Sequence, residues 1–132
     1  MTHTRQMLEA APLPSLFDQD QLARCIDACF DCAQACTACA DACLGEASVA
    51  ELVRCIAVND VCADVCATTG RALSRQTAGQ EPLLRALITA CSEACKSCAE
   101  ECERHADMHD HCRVCAEACR ECEQRCRELI AA

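Results

Sequence analysis

The chain has 132 residues, 18 of them cysteine, with no Trp or Tyr, two Phe and a formal net charge of −9. That length suits one compact domain, but its 23 Leu, Ile, Val and Phe residues are too few to fill an ordinary aliphatic core. The 25 alanines and the cysteines must therefore supply much of the interior, and an acidic balance without Lys or Arg clusters argues against nucleic acid and anionic membrane surfaces as partners.

Residues 1–17 read as a leader, helical for a turn or two around Met7 to Ala11 and stopped by Pro12 and Pro14. This stretch has no twin Arg and no apolar run followed by a cleavage site, so neither an export signal nor a membrane span is expected. The expected location is the cytosol, where thiols stay reduced. Met1, His3 and Met7 are given no role.

From Asp18 the pattern changes, and residues 18–132 are expected to form a four-helix bundle. Cys25, Cys29, Cys32, Cys36, Cys39 and Cys43 step alternately by four and three until Gly45. Asp27, Asp31, Gln34 and Asp41 recur on the other side, which predicts a helix over about 18–44 with one thiol face and one wet face. Ser48 with Glu51 has the form of a capping box. It opens a second seam of Leu52, Cys55, Asn59, Cys62, Cys66, Thr69 and Leu73, predicting a helix over about 48–75.

Gly79 marks a loop, and Pro82 suits the first turn of a third helix over about 82–106. Its seam is Leu84, Leu87 or Ile88, Cys91, Cys95, Cys98, Cys102 and His105. The chain turns before a fourth set, Cys112, Cys115, Cys119, Cys122, Cys126 and Leu129, in a helix over about 110–130. Glu117, Arg120, Glu121, Glu123, Arg125 and Arg127 form its expected outer surface. Four amphipathic helices with short connections predict an all-α, antiparallel up-down-up-down four-helix bundle with a cysteine-lined core.

Such a core constrains its own chemistry. Cβ atoms three or four residues apart on a helix are separated by ~5–6 Å, whereas a disulfide needs them at ~3.5–4.5 Å. Neighbouring cysteines of one helix therefore cannot join without distorting it. Two sulfurs each ~2.3 Å from a thiophilic ion sit up to ~4.6 Å apart, a span that CxxxC on a helix can provide. Thiolates select soft ions: Cu(I), zinc and iron–sulfur clusters.

Iron–sulfur centres usually use loop cysteines with a Cys-Pro ending, which the chain lacks. Structural zinc commonly uses knuckles at turns. Paired cysteines along straight helices instead offer many positions of two or three sulfurs, which suits Cu(I). Charge agrees: each Cu⁺ that replaces one S–H proton leaves the buried charge unchanged, so on the order of 10–20 Cu(I) per chain are tolerable. Zinc would neutralise the same thiolates at half the number. A purely structural role is the bland alternative, although Ala, Val or Leu would serve it without risk of oxidation.

The two ends of the bundle differ. Leu22, Ile26, Leu73, Leu83, Leu84, Leu87, Leu129 and Ile130 are expected to plug one end. His105, Met108, His109 and His111 gather at the other, beside Cys43, Cys102 and Cys112. There they form either a mouth that first catches Cu(I) or a set of solvated turn residues. Met108 can lend a thioether or serve as a turn hydrophobe. Asn59, at a seam position otherwise used by cysteine, is either a ligand or a polar core residue that sets register.

The segments CFDCAQACTACADACLGE (29–46) and ECERHADMHDHCRVCAEAC (101–119), with the CxxxC/CxxC ladder in all four helices, resemble the four-helix-bundle copper storage proteins of bacteria. The likeness is to the cytosolic branch without an export signal and covers roughly 20–127. It implies storage of many Cu(I) ions by the core thiolates, further coordination by His105, His109 and His111, a site at Asn59, and a tetramer of bundles. Only three cysteines line the second helix, so copper should be sparser along that wall.

The expected function is thus non-enzymatic: a cytosolic store that limits copper toxicity and can supply the metal, its copper donors and acceptors being unidentified. There is no ExxH pair for a di-iron bundle, no nucleophile elbow and no Gly-rich phosphate loop. The alternatives are a zinc or cadmium buffer resembling metallothionein in role, and a disulfide-bonded structural module. Val49, Val53 and Ile56 hint at an oligomer contact.

Overall fold

The computed structural model describes residues 2–132, and every regular element among them is helical. In chain order these are α1 (Thr4–Ala10), α2 (Gln19–Leu44), a 3-10 turn (Val49–Glu51), α3 (Val53–Leu73), α4 (Glu81–Glu103) and α5 (Asp110–Ala131). Met1 lies outside the described residues.

α2 begins where Asp18 accepts a hydrogen bond from the Gln21 amide at 3.0 Å, and it ends before Gly45. α3 starts five residues later than the capping-box reading placed it, because Ser48 caps no helix. The Ser48 hydroxyl lies instead 3.3 Å from Nε2 of the His109 ring, and the 3-10 turn carries Leu52 into the core. Burying a leucine is worth about 1.5–3 kcal/mol, whereas a serine cap is worth about 1, so the tertiary contact wins. α4 stops at Glu103, short of the expected 106. There the His105 and Ala106 amides bond back only three residues, to Cys102 and Glu103, and the last turn tightens.

α2 and α4 each pack against both α3 and α5. Sulfur contacts give the directions. Cys25 at the start of α2 meets Cys126 at the end of α5 at 3.8 Å, and Cys39 meets Cys112 at 3.9 Å. Cys55 meets Cys102 at 3.9 Å and Cys91 meets Cys66 at 3.8 Å, so α3 and α4 are also antiparallel. The topology is the up-down-up-down bundle that the periodicity predicts. Gly70 permits the close approach of α2 to α3, since a Cβ there would lie 3.0 Å from the Phe30 ring. Gly79 turns the α3–α4 connection with φ of 64°.

One end is sealed as expected, with corrections. Leu22, Leu73, Ile88 and Leu129, one from each long helix, are fully buried. Ile26, Leu84 and Phe17 join them, while Leu87 and Ile130 are half-buried. Leu83 is 53% exposed and does not belong to the plug. Leu84 and Ile88 are one turn apart on the inner face, and Leu83, a single residue earlier, is rotated out by about 100°.

α1, beginning earlier than Met7, lies along α2. The Thr2 and Thr4 hydroxyls donate to Asp27, Arg5 pairs with Asp20, and Leu8 packs on the core. Glu123, expected outside, is buried at the α5 surface between Arg120 and Arg127, which pair with it at 3.0 and 2.6 Å.

Candidate metal centre

The helical period turns every cysteine of the four seams inward, and all eighteen are free thiols in the interior. They form a continuous column. From the sealed end, Cys25 touches Cys126. Cys29 lies 3.9 Å from both Cys91 and Cys122, and Cys66 lies 3.5 Å from Cys95. Cys32 is 3.7 Å from Cys119 and 3.9 Å from Cys95, and Cys62 is 3.8 Å from Cys66. Cys36 is 3.6 Å from Cys119 and 3.8 Å from Cys98 and from Cys115. Four-sulfur groups share corners: Cys122 belongs to two of them, as do Cys32, Cys36 and Cys119.

Asn59 lies fully buried within this column. Its Oδ1 accepts from Cys115 at 3.0 Å and from Cys98 at 3.2 Å. Its Nδ2 donates to the Cys55 carbonyl at 2.8 Å and faces the Cys55 and Cys102 sulfurs at 3.3 and 3.5 Å. The amide is satisfied on every side, so it incurs no unpaired-group penalty.

At the other end the sulfurs are not open to solvent, because Cys43, Cys55, Cys102 and Cys112 are all buried. Three partly exposed imidazoles cover them, with side-chain exposures of 19% for His105, 12% for His109 and 25% for His111. Nδ1 of His111 lies 3.4 Å from the Cys39 sulfur and 3.7 Å from that of Cys112. With Cys43 these form a group of ligand atoms within 4.8 Å of one another.

His109 is held differently. Its Nδ1 faces Glu46 at 3.0 Å and its Nε2 faces Ser48, while its ring stacks on His111 at 5.5 Å. His105 turns its Nε2 to Glu101 at 3.1 Å. The Met108 side chain is exposed, and its amide bonds to the His105 carbonyl at 3.1 Å. Sequence reasoning missed Glu46 and Glu101. Glu101 stands one helical turn before His105, a legible signal; Glu46 follows Gly45 in a connection and has none.

Burial disfavours the charged form of two thiols near the mouth. Burial pushes Cys43 up to about 11 and Cys112 up to about 12 from an unfolded value of 9.0. Hydrogen bonding to neighbouring sulfurs, first Cys122, raises Cys95 further. A thiol whose folded pKa exceeds its unfolded value contributes stability that is complete below pH 9 and lost as pH rises towards 11–12. The metal-free, reduced protein should therefore lose about 1.4 kcal/mol per pH unit for each such thiol above pH 9. Urea unfolding from pH 8 to 11 tests this, and a flat midpoint would show that the thiols ionise without leaving the core.

Fold and site together define a class: a helical bundle whose interior is a column of free thiols closed at one end. A family model described as copper storage protein matches residues 18–131, and the chain belongs to that family. The copper storage protein Ccsp from Streptomyces lividans, loaded with 10 copper equivalents, is 52% identical over 97% of this chain and 98% of that chain, with a TM-score of 0.95. A cytosolic copper storage protein from Streptomyces lividans holding five coppers is 57% identical over 86% of this chain and 94% of that one, with a TM-score of 0.84. Apo copper storage protein 3 from Bacillus subtilis is 36% identical over 81% of this chain and 96% of that one, with a TM-score of 0.70. No curated protein matches the chain. No helix among the described residues is long and apolar enough to cross a membrane.

Proposed function

We propose that this protein is a non-enzymatic cytosolic store that holds on the order of 10–20 Cu(I) per chain by exchanging thiol protons for the ion. The observation that carries this reading is the column itself: eighteen reduced sulfurs, all buried, most with sulfur neighbours 3.5–4.0 Å away. Three sulfurs each ~2.3 Å from one ion lie ~4.0 Å from one another, so the spacing suits trigonal Cu(I) with little movement. His111 serves as a ligand at the mouth with Cys39, Cys43 and Cys112, and Asn59 as a polar ligand inside the column. His105 and His109 complete the mouth, His105 through its remaining nitrogen and His109 as a buttress. The cytosolic relative and the unpaired thiols support the location.

Self-association, as a tetramer, is part of the same reading. It is supported by Val53 and Val61, exposed on the outer face of α3 beside the half-buried Ile56, Val58 and Val65.

A zinc or cadmium buffer is the second reading, favoured by the four-sulfur groups, whose spacing also fits a tetrahedral ion. Charge weighs against isolated four-thiolate sites, each of which leaves two uncompensated negative charges in the core; thiolates shared between ions restore neutrality at half the copper number. Anaerobic titration with Cu(I), and separately with Zn²⁺, followed by gel filtration and metal counting, tests both. We expect saturation at 10–20 coppers by the neutrality argument. Retention of about nine zinc ions with only a few coppers would reverse the order.

A further inference from the structure

We infer that Glu46 is a positioning residue for copper capture, fixing the His111 ring so that its unprotonated nitrogen faces the thiols, while Glu101 holds Nε2 of His105. The inference rests on the copper-store reading. Glu46 Oε2 lies 2.8 Å from His111 Nε2, and Glu101 Oε2 lies 3.1 Å from His105 Nε2.

An ionised carboxylate can only accept hydrogen bonds, so the nitrogen facing it must carry the hydrogen. The other nitrogen of a neutral imidazole then holds a lone pair. For His111 that other nitrogen is Nδ1, 3.4 and 3.7 Å from the Cys39 and Cys112 sulfurs. The opposite tautomer would aim an N–H at the sulfurs and offer copper nothing. Partners that orient a ligating histidine in this way are worth about 10- to 100-fold in metal binding or activity.

Both carboxylates are held in turn. The same oxygen of Glu46 takes the His109 Nδ1 hydrogen at 3.0 Å, and the second oxygen of Glu101 faces Arg54 at 3.2 Å and Arg104 at 3.5 Å. The His109 ring, stacked on His111, keeps Glu46 from swinging away. Glu46 reaches His111 from the α2–α3 connection, so it also ties that connection to the first turn of α5.

The test uses Cu(I) delivered anaerobically as its acetonitrile complex to the full chain. Initial uptake and final capacity are recorded for wild type, Glu46→Ala, Glu46→Gln, His111→Ala and the Glu46→Ala/His111→Ala double variant. Glu46→Ala should slow uptake about tenfold. Glu46→Gln, which keeps an acceptor oxygen, should restore it to within about twofold of wild type. In the His111→Ala background the Glu46→Ala change should add nothing, because its effect passes through that ring. Nitrogen NMR of the metal-free wild type should show His111 with hydrogen on Nε2 alone. Unaltered uptake in Glu46→Ala, equal slowing in both backgrounds, or a mixed His111 tautomer would overturn the inference. Capacity reports separately on the store: low capacity in wild type would sink the storage reading whatever the uptake rates show.

Discussion

Loading with Cu(I) is expected to raise the unfolding temperature by about 20 °C or more relative to the metal-free, reduced protein. A ligand bound only by the folded state at a thousand times its Kd adds about 4.1 kcal/mol per site. Each kcal/mol shifts the Tm of a chain of this size by several degrees. Even five such ions would exceed the few kcal/mol that a core so poor in large side chains can supply. The thiols they would bridge come from all four long helices. In the group Cys32, Cys36, Cys62 and Cys119 a single ion ties α2, α3 and α5 together. Calorimetry at increasing copper-to-protein ratios checks this. A Tm independent of loading would mean that the ions sit on the surface rather than within the column.

The second large effect is at the sealed end. Leu129→Ala should cost the metal-free protein about 2–5 kcal/mol, the range for truncating a fully buried leucine. Leu129 has no exposed surface and belongs to the same core as the equally buried Leu22, Leu73 and Ile88. The same variant fully loaded should unfold close to the loaded wild type, because bound ions dominate its stability. Urea titration with and without copper separates the two states. A loss of similar size in both would show that metal adds little to the fold.

Much of this architecture was legible because the chemistry is periodic. A thiol every three or four residues identifies four helix faces, and the column follows once those faces meet. The same logic falters where one residue competes for two partners. Ser48 satisfies a local capping pattern, yet its hydroxyl faces His109 from across the bundle, and no single stretch of sequence contains that contact. Leu83 and Leu84 are adjacent and equally apolar, and only the register against Ile88 decides which is buried. The mouth was legible as a cluster of histidines but not as a lid. Two of those rings face Glu46, placed opposite α5 by the turn after Gly45. The ring nitrogens of His105, His109 and His111, identical in sequence terms, face different partners only because of where each carboxylate arrives.

The leucine seal has a consequence for sequence in time. Under the proposed function, with one end stopped, ions would share a single channel from the histidine end, and sulfurs beyond Asn59 would be reached only by way of those before it. Such a column empties in the reverse order of its filling. The ion that arrived last would be the first to leave, while any lodged near Cys25 and Cys126 would stay behind as a slow reserve. A cell drawing on it would therefore see two pools of one element, quick and slow, separated by depth alone.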